Sequence, residues 1–367
     1  MPHPAGGGWS VTETRPTLDT VAEAAGVSRM TVSNAYNRPN QLSPATRQHV
    51  LEVAARLGYA GPDPAGASLR RGRVGAVGVV LTERLGYAFT DPGLVSFMQG
   101  LAAELGAGGQ AMLLVPTEAN SDGSFVRNAI VDAFIISAME ADDPNVAAVV
   151  GRRLPIVTAG SPRLAGVPHV GIDNKKAGEL VADHFLALGH RTFTVVTLSM
   201  RDTRDPATAE LPARPGVRQR VEGFVSRLRA AGVGLTDIAI VSAAANTSAA
   251  AAAAIGDVLN GPASRRPSAV FGVTDVLALG VLQAARAASL VVPDQLSVAG
   301  FDDINAAAHS TPALTTVSQS LFEQGQEVAH MTLGLLRGES VRSPRIKAEL
   351  IVRDSTAAPP AAKRGRR

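Results

Sequence analysis

The chain has 367 residues, 46% of them hydrophobic and 18% charged, with no cysteine and a net charge of +3. The length admits two or three domains. The lack of cysteine excludes disulfides, thiolate metal sites and a cysteine nucleophile. Positive charge gathers at the ends: eight arginines face five carboxylates in residues 1–73, the body is mildly acidic, and the chain closes on "KRGRR". Basic ends point weakly to nucleic acid.

Residues 1–16 hold Pro, Gly and polar side chains without periodicity and are expected to be a disordered extension. They lack the apolar core of a secretory signal. No apolar run in the chain reaches the roughly 18 residues of a membrane span. The expectation is a cytoplasmic protein without a membrane partner. Residues 17–60 read as a compact group of short helices. Residues 61–73, with two prolines and three glycines, read as a linker or hinge.

From residue 74 the pattern changes to short apolar runs alternating with longer helical stretches. Strands are expected at 74–81, 111–116, 132–137, 155–160, 167–173, 192–198, 238–243, 268–273 and 296–303. Helices are expected at 93–106, 175–189, 221–232 and 276–289, with an alanine-rich one before the 268–273 strand. Strands alternating with helices of this length predict a parallel sheet built from βαβ units. So many strands exceed one comfortable open sheet, so residues 74–354 are expected to form two lobes, each a doubly wound sheet. Ligand sites in such sheets lie beyond the carboxyl ends of the strands, and a cleft between lobes is the default pocket. Residues 355–367 are expected to be a disordered basic tail.

The stretch "LDTVAEAAGVSRMTVSNAYN" (18–37) fits a helix-turn-helix. Leu18–Ala25 is the first helix, Gly26–Ser28 the turn and Arg29–Tyr36 the second helix. Ala22 lets the helices cross closely, and Gly26 sits where a positive φ is cheapest. Ser28 is a good N-cap. The outer face then carries Arg29, Met30, Thr31, Ser33, Asn34 and Asn37. Hydroxyls and amides suit phosphate contacts, and Arg29 suits a guanine edge. The plainer alternative is a pair of solvated helices without a ligand.

"TLDTVAEAAGVSRMTVSNAYN" followed by "LSPATRQHVLEVAARLGY" resembles the headpiece of the lactose-repressor (LacI/GalR) family. The resemblance continues through "VGIDNKKAGELVADHFLALGHRTF", "RQRVEGFVSRL", "FGVTDVLALGVLQA" and "LSVAGFDDINAAAHSTPALTTVSQ", to about residue 354. It implies an all-α headpiece on a two-lobed, periplasmic-binding-protein-like body. It also implies base contacts from Arg29, Met30 and Asn34. Many members carry Arg where Asn34 stands, so the operator preference departs there. Ser28, Thr31, Ser33, Asn37 and Thr46 match phosphate-holding positions, and Tyr59 a residue that packs the headpiece beside the DNA backbone. Leu69 matches the hinge leucine that wedges open the minor groove, although Pro64 and Gly66 depart from the family's hinge helix.

In the body the resemblance gives Arg220 as the effector-gripping arginine and Asp302 as an acceptor of ligand hydroxyls. Thr274 and Gln319 match further pocket positions. In the first lobe Thr82, Asp91 and Ser137 end strands or start loops at the cleft. Tyr87 and Phe89 either stack on a ligand ring or pack within their loop. The adjacent carboxylates of Asp302 and Asp303 offer acid/base chemistry as an alternative, but adjacent residues at a strand end diverge and no nucleophile or metal set accompanies them. The glycines of "GRVGAVG" do not form the dinucleotide-binding turn. The expected protein is therefore no enzyme, with no cofactor and no metal site. It is a homodimeric transcription regulator, most simply a repressor, with double-stranded operator DNA and a small effector as partners. The effector is a sugar, sugar phosphate or nucleobase-like molecule. The rival reading is a sugar-binding protein without DNA function.

Overall fold

The computed structural model describes residues 16–61, 72–81, 85–117, 122–198 and 215–360. The chain divides into two compact units, Met1–Val74 and Gly75–Arg367.

Among its described residues the first unit holds three α-helices: α1 (Leu18–Ala25), α2 (Arg29–Asn37) and α3 (Pro44–Arg56). Each start is set by a hydroxyl cap. Thr17 and Thr20 form a capping box on α1, while Ser28 and Ser43 accept from the backbone amides of Thr31 and Thr46. Gly26 ends α1 with φ of 65° and returns its N–H to Ala22 and Glu23. That left-handed turn is cheap for glycine and aims α2 across α1. Val21, Ala22, Ala25, Val32, Ala35, Val50, Val53, Ala54 and Tyr59 form one buried cluster. The small residues let the helices approach, and Tyr59 closes the cluster edge-on against Tyr36, with ring centroids 5.9 Å apart.

The second unit contains two sheets. The first has the order β2-β1-β3-β4-β5, from β1 (Ala76–Leu81), β2 (Ala111–Pro116), β3 (Ala133–Ser137), β4 (Ile156–Ala159) and β5 (His169–Val170). All its pairings are parallel. The second has the order β11-β10-β9-β8-β6-β7, from β6 (Phe193–Leu198), β7 (Ile238–Ala243), β8 (Ala269–Gly272), β9 (Ser297–Asp302), β10 (Thr315–Ser318) and β11 (Glu349–Ile351). Only β11 runs antiparallel. Strands such as "AFIIS" and "AVFG" are buried almost throughout because helices cover both faces.

Those helices are α4 (Pro92–Ala107), α5 (Ser124–Asn128), α6 (Pro144–Gly151), α7 (Asn174–Ala187), α8 (Pro215–Ala230), α9 (Ser248–Asn260), α10 (Asp275–Ala287), α11 (Asn305–Ala308) and α12 (Leu321–Leu336). Helix α12 follows a strand of the second sheet yet buries Val328, Ala329 and Met331 in the core of the first. The chain then returns to β11. With the step from β5 to α7, the lobes are joined three times.

Three features depart from the expected elements. The short strands β10 and β11 and the helices α5, α6, α11 and α12 were not foreseen, and α8 begins six residues before the expected start. The segment expected to be a disordered tail from Ser355 is ordered through Pro360. Ser355 is fully buried; its hydroxyl donates to Val298 O at 2.6 Å and accepts from Thr315 N at 2.8 Å. His190 lies 2.9 Å from Ala357 O, and His184 2.9 Å from Thr356 Oγ1. These two histidines thus fasten the chain end. Among the described residues no helix is long and apolar enough to cross a membrane.

Candidate functional site

Helix α2 presents the candidate DNA face. Arg29 occupies its first position, and its side chain is 69% exposed. Met30 is 71% exposed. Asn34 lies one turn further along the same helix and is half-buried. The hydroxyl and amide groups around them are already paired. Ser28 Oγ lies 2.9 Å from Thr31 Oγ1, Ser43 Oγ lies 2.8 Å from Thr46 Oγ1, and Asn37 Nδ2 donates to Ser33 O at 3.1 Å. Tyr59 is a core residue, 8% exposed. Sequence reasoning missed Asp19, whose Oδ1 sits 2.8 Å from Arg29 Nε. Leu69 lies outside the described residues.

The candidate effector site is a cavity of about 200 Å³ between the carboxyl ends of the two sheets. It gathers Tyr87, Asp91 and Ser137 from the first lobe and Arg220, Thr274, Asp302 and Gln319 from the second lobe and its crossover. Phe89 is not among its lining residues and is 64% exposed, so the stacking role considered for it is not supported. The short 3-10 turn Leu85–Phe89 aims Tyr87 inward and Phe89 outward. Thr82 lies outside the described residues.

Arg220 is held from several sides. Its Nε donates to Asn174 Oδ1 at 2.9 Å, and its Nη1 donates to Val273 O at 2.9 Å and lies 3.3 Å from Asp302 Oδ1. The guanidinium covers the Phe301 ring at 3.6 Å, a cation–π contact strengthened by burial. Gly178 of α7 makes this placement possible, because a Cβ there would collide with the Arg220 carbonyl of α8. Burial lowers the Arg220 pKa, against the pull of Asp302; an arginine stays charged nonetheless.

Asp302 receives the Gln319 amide at 2.6 Å as well as Arg220. Burial pushes its carboxyl up to about 7 in spite of these partners. Its backbone is strained, with φ of 117°, and Asp303 follows at 56°. Such conformations cost on the order of 1–3 kcal/mol and persist only where neighbours impose them. Here Asp275, fully buried, accepts from Ile304 N at 2.8 Å, and Arg353 grips Asp303 at 2.6 Å. Burial also raises Asp275, to about 6.

A second cluster crosses the cavity. Asp91 caps α4 through Leu94 N at 2.8 Å, and its other oxygen accepts from Tyr87 at 2.5 Å and from Asn246 at 2.7 Å. Asn246 belongs to the second lobe, on the loop after β7, and accepts from Thr274 Oγ1 at 2.8 Å. Burial and the Asp91 carboxylate hold the Tyr87 phenol well above its usual value. Asn246, Asn174, Phe97 and Gln324 were missed by sequence reasoning. The available signal was position: Asn174 and Asn246 stand at or just before the first turns of helices that follow strand ends.

The family model of bacterial regulatory proteins of the lacI family matches residues 17–61, and that of the periplasmic binding protein-like domain matches residues 182–356. An HTH-type transcriptional regulator of Mycobacterium tuberculosis is 38% identical over 357 residues, covering 95% of this chain and 98% of its own length. The chain belongs to the lacI family of bacterial regulatory proteins. It is a ligand-responsive DNA-binding regulator of that family. A crystal structure of a LacI-family transcriptional regulator from Corynebacterium glutamicum matches with a TM-score of 0.69 and 30% identity, covering 94% of this chain and 99% of that one. The complex of the transcriptional regulator CelR with cellobiose matches with a TM-score of 0.64 and 27% identity, covering 93% and 100%.

Proposed function

We propose that this lacI-family chain is a repressor that binds a near-palindromic double-stranded operator as a homodimer and changes its DNA affinity when a small effector enters the cleft. The two-fold symmetry of a dimer is mirrored in half-sites one helical turn apart. Arg29, Met30 and Asn34 read bases, while Ser28, Thr31, Ser33, Asn37 and Thr46 hold phosphates. The protein acts in the cytoplasm, binds rather than transforms its effector, and needs no cofactor.

The observation that carries this reading is the cavity floor, where Arg220, Asp302 and Gln319 converge. Among the described lining residues, Asp91 and Asp302 are carboxylates and Arg220 is the one cation, already engaged. An ionised carboxylate only accepts and a protonated one can donate a single hydrogen, so neither form supplies a cation to a phosphate. That balance favours a neutral, hydroxyl-rich effector of the sugar class over a phosphate ester. The bound cellobiose of CelR is in keeping with this class. Allostery here is a difference in DNA affinity between two lobe arrangements.

A thermal-shift screen of sugars, sugar phosphates and nucleosides tests the proposal. A ligand that binds only the native state raises the melting temperature. The expected hit is a neutral sugar that also changes retention of a duplex carrying the operator. Hits confined to phosphorylated compounds, or a neutral hit without any effect on DNA binding, would count against it.

A further inference from the structure

We infer that Asp19 is a positioning residue for DNA reading: it holds the Arg29 guanidinium so that its terminal nitrogens meet a guanine edge. The inference rests on the proposed base-reading role of Arg29. Asp19 lies in the first turn of α1 and Arg29 at the first position of α2. The Gly26 turn brings these two helix starts together, and Asp19 Oδ1 meets Arg29 Nε at 2.8 Å. Both side chains are solvent-exposed, at 61% and 69%. A carboxylate beside a phosphate-lined groove is repelled unless it is paired.

The atom used decides the meaning of the contact. Guanine O6 and N7 are read by two donors side by side. A carboxylate that grips Nε leaves the end-on pair of terminal nitrogens for that purpose. A free arginine would have to freeze its whole flexible stem on meeting DNA, whereas Asp19 removes part of that cost beforehand. Asp19 therefore trades some general attraction to DNA for discrimination at one base pair.

The test uses the full chain and a pool of duplexes with randomised half-sites, followed by measured affinities on the enriched duplex and on single-base variants of it. Arg29→Ala should lower discrimination at one guanine by about tenfold or more. Asp19→Ala and Asp19→Asn should lower it at the same guanine by about two- to fivefold, the scale of an exposed ion pair. Both Asp19 variants should bind a random duplex as well as or better than the parent chain, because an anion has been removed. Reduced binding to every duplex would mean simple damage to α1 and would overturn the inference. So would full discrimination in the Asp19 variants, or a change at a different base pair, which would make Asp19 itself a reader. If Arg29→Ala leaves every base preference intact, the reading role of Arg29 fails first and the inference falls with it.

Discussion

Arg220→Met removes the cation of the cleft while keeping most of its volume. Asp302 then loses its ionic partner at a mostly buried position, where breaking a buried pair costs roughly 3–5 kcal/mol. The cost should depend on pH, because a carboxyl can escape by protonation. In the parent chain burial already raises Asp302 from 3.8 to about 7. A carboxyl raised on folding contributes stability below its unfolded value and loses it as pH rises through the folded value. In the parent that loss ends near pH 7. In Arg220→Met the folded value climbs further, so the loss continues above pH 7 at about 1.36 kcal/mol for each pH step. Between pH 7 and about 8.5 the variant should fall behind the parent by about 2 kcal/mol more. Urea unfolding of both chains at pH 6, 7 and about 8.5 measures this. Asp302→Asn should instead show no slope from this site, because neither the amide nor the arginine left behind titrates in this range, so its deficit relative to the parent grows below pH 7. The double variant should lose the part of the pH slope that Asp302 contributes and keep that of Asp275, which burial also raises. A pH-independent cost in Arg220→Met would refute the coupling of this pair.

Asn246→Ala removes the second-lobe donor to Asp91, a charge-assisted bond worth roughly 1.5–3 kcal/mol; the ligand-free body should expand in small-angle scattering, and its affinity for the screened sugar should fall. An unchanged radius of gyration together with unchanged affinity would show that the bridge carries no free energy. Gly178→Ala places a methyl against the Arg220 carbonyl, so α7 and α8 must part; overpacking of this kind costs typically about 1–3 kcal/mol, read as a lower melting temperature with loss of the sugar-induced shift. A parent-like melting curve would mean the helices are not held that close.

The parallel strands were legible because each is a short apolar run followed by a helix-length amphipathic stretch. Several elements were not, β10, β11 and α12 among them. Strand β10 is "TTVS", which looks like a loop until Asp275 accepts from the Thr316 hydroxyl, Arg353 O accepts from the Thr315 hydroxyl and Ser355 accepts from the Thr315 backbone amide. Strand β11 has three residues and exists only as an antiparallel edge of β10. Helix α12 carries Gly325 and Gly334 in its interior, which lower its intrinsic propensity; at Gly325 the reason is packing, since a Cβ there would meet the Phe97 carbonyl of α4. The tail from Ser355 looked like a polar, proline-rich end, and only the second sheet explains its order.

The site was legible unevenly for the same reason. Arg220, Thr274, Asp302 and Gln319 stand in motifs with fixed spacing, whereas Asn246 sits in "AAANTS", a loop with no pattern of its own. Its importance arises from what lies opposite. Asp91 spends one oxygen on the start of α4 and the other on Tyr87 and Asn246. A carboxylate has about four acceptor positions, so one remains for a ligand hydroxyl while the bridge persists. A ligand hydroxyl bound there would favour the same lobe arrangement as the bridge instead of competing for Asp91. By linkage, whatever stabilises that arrangement without ligand must also tighten ligand binding. Asn246 is therefore expected to act on effector affinity through the lobes as well as through any direct contact, which no one-dimensional motif can express.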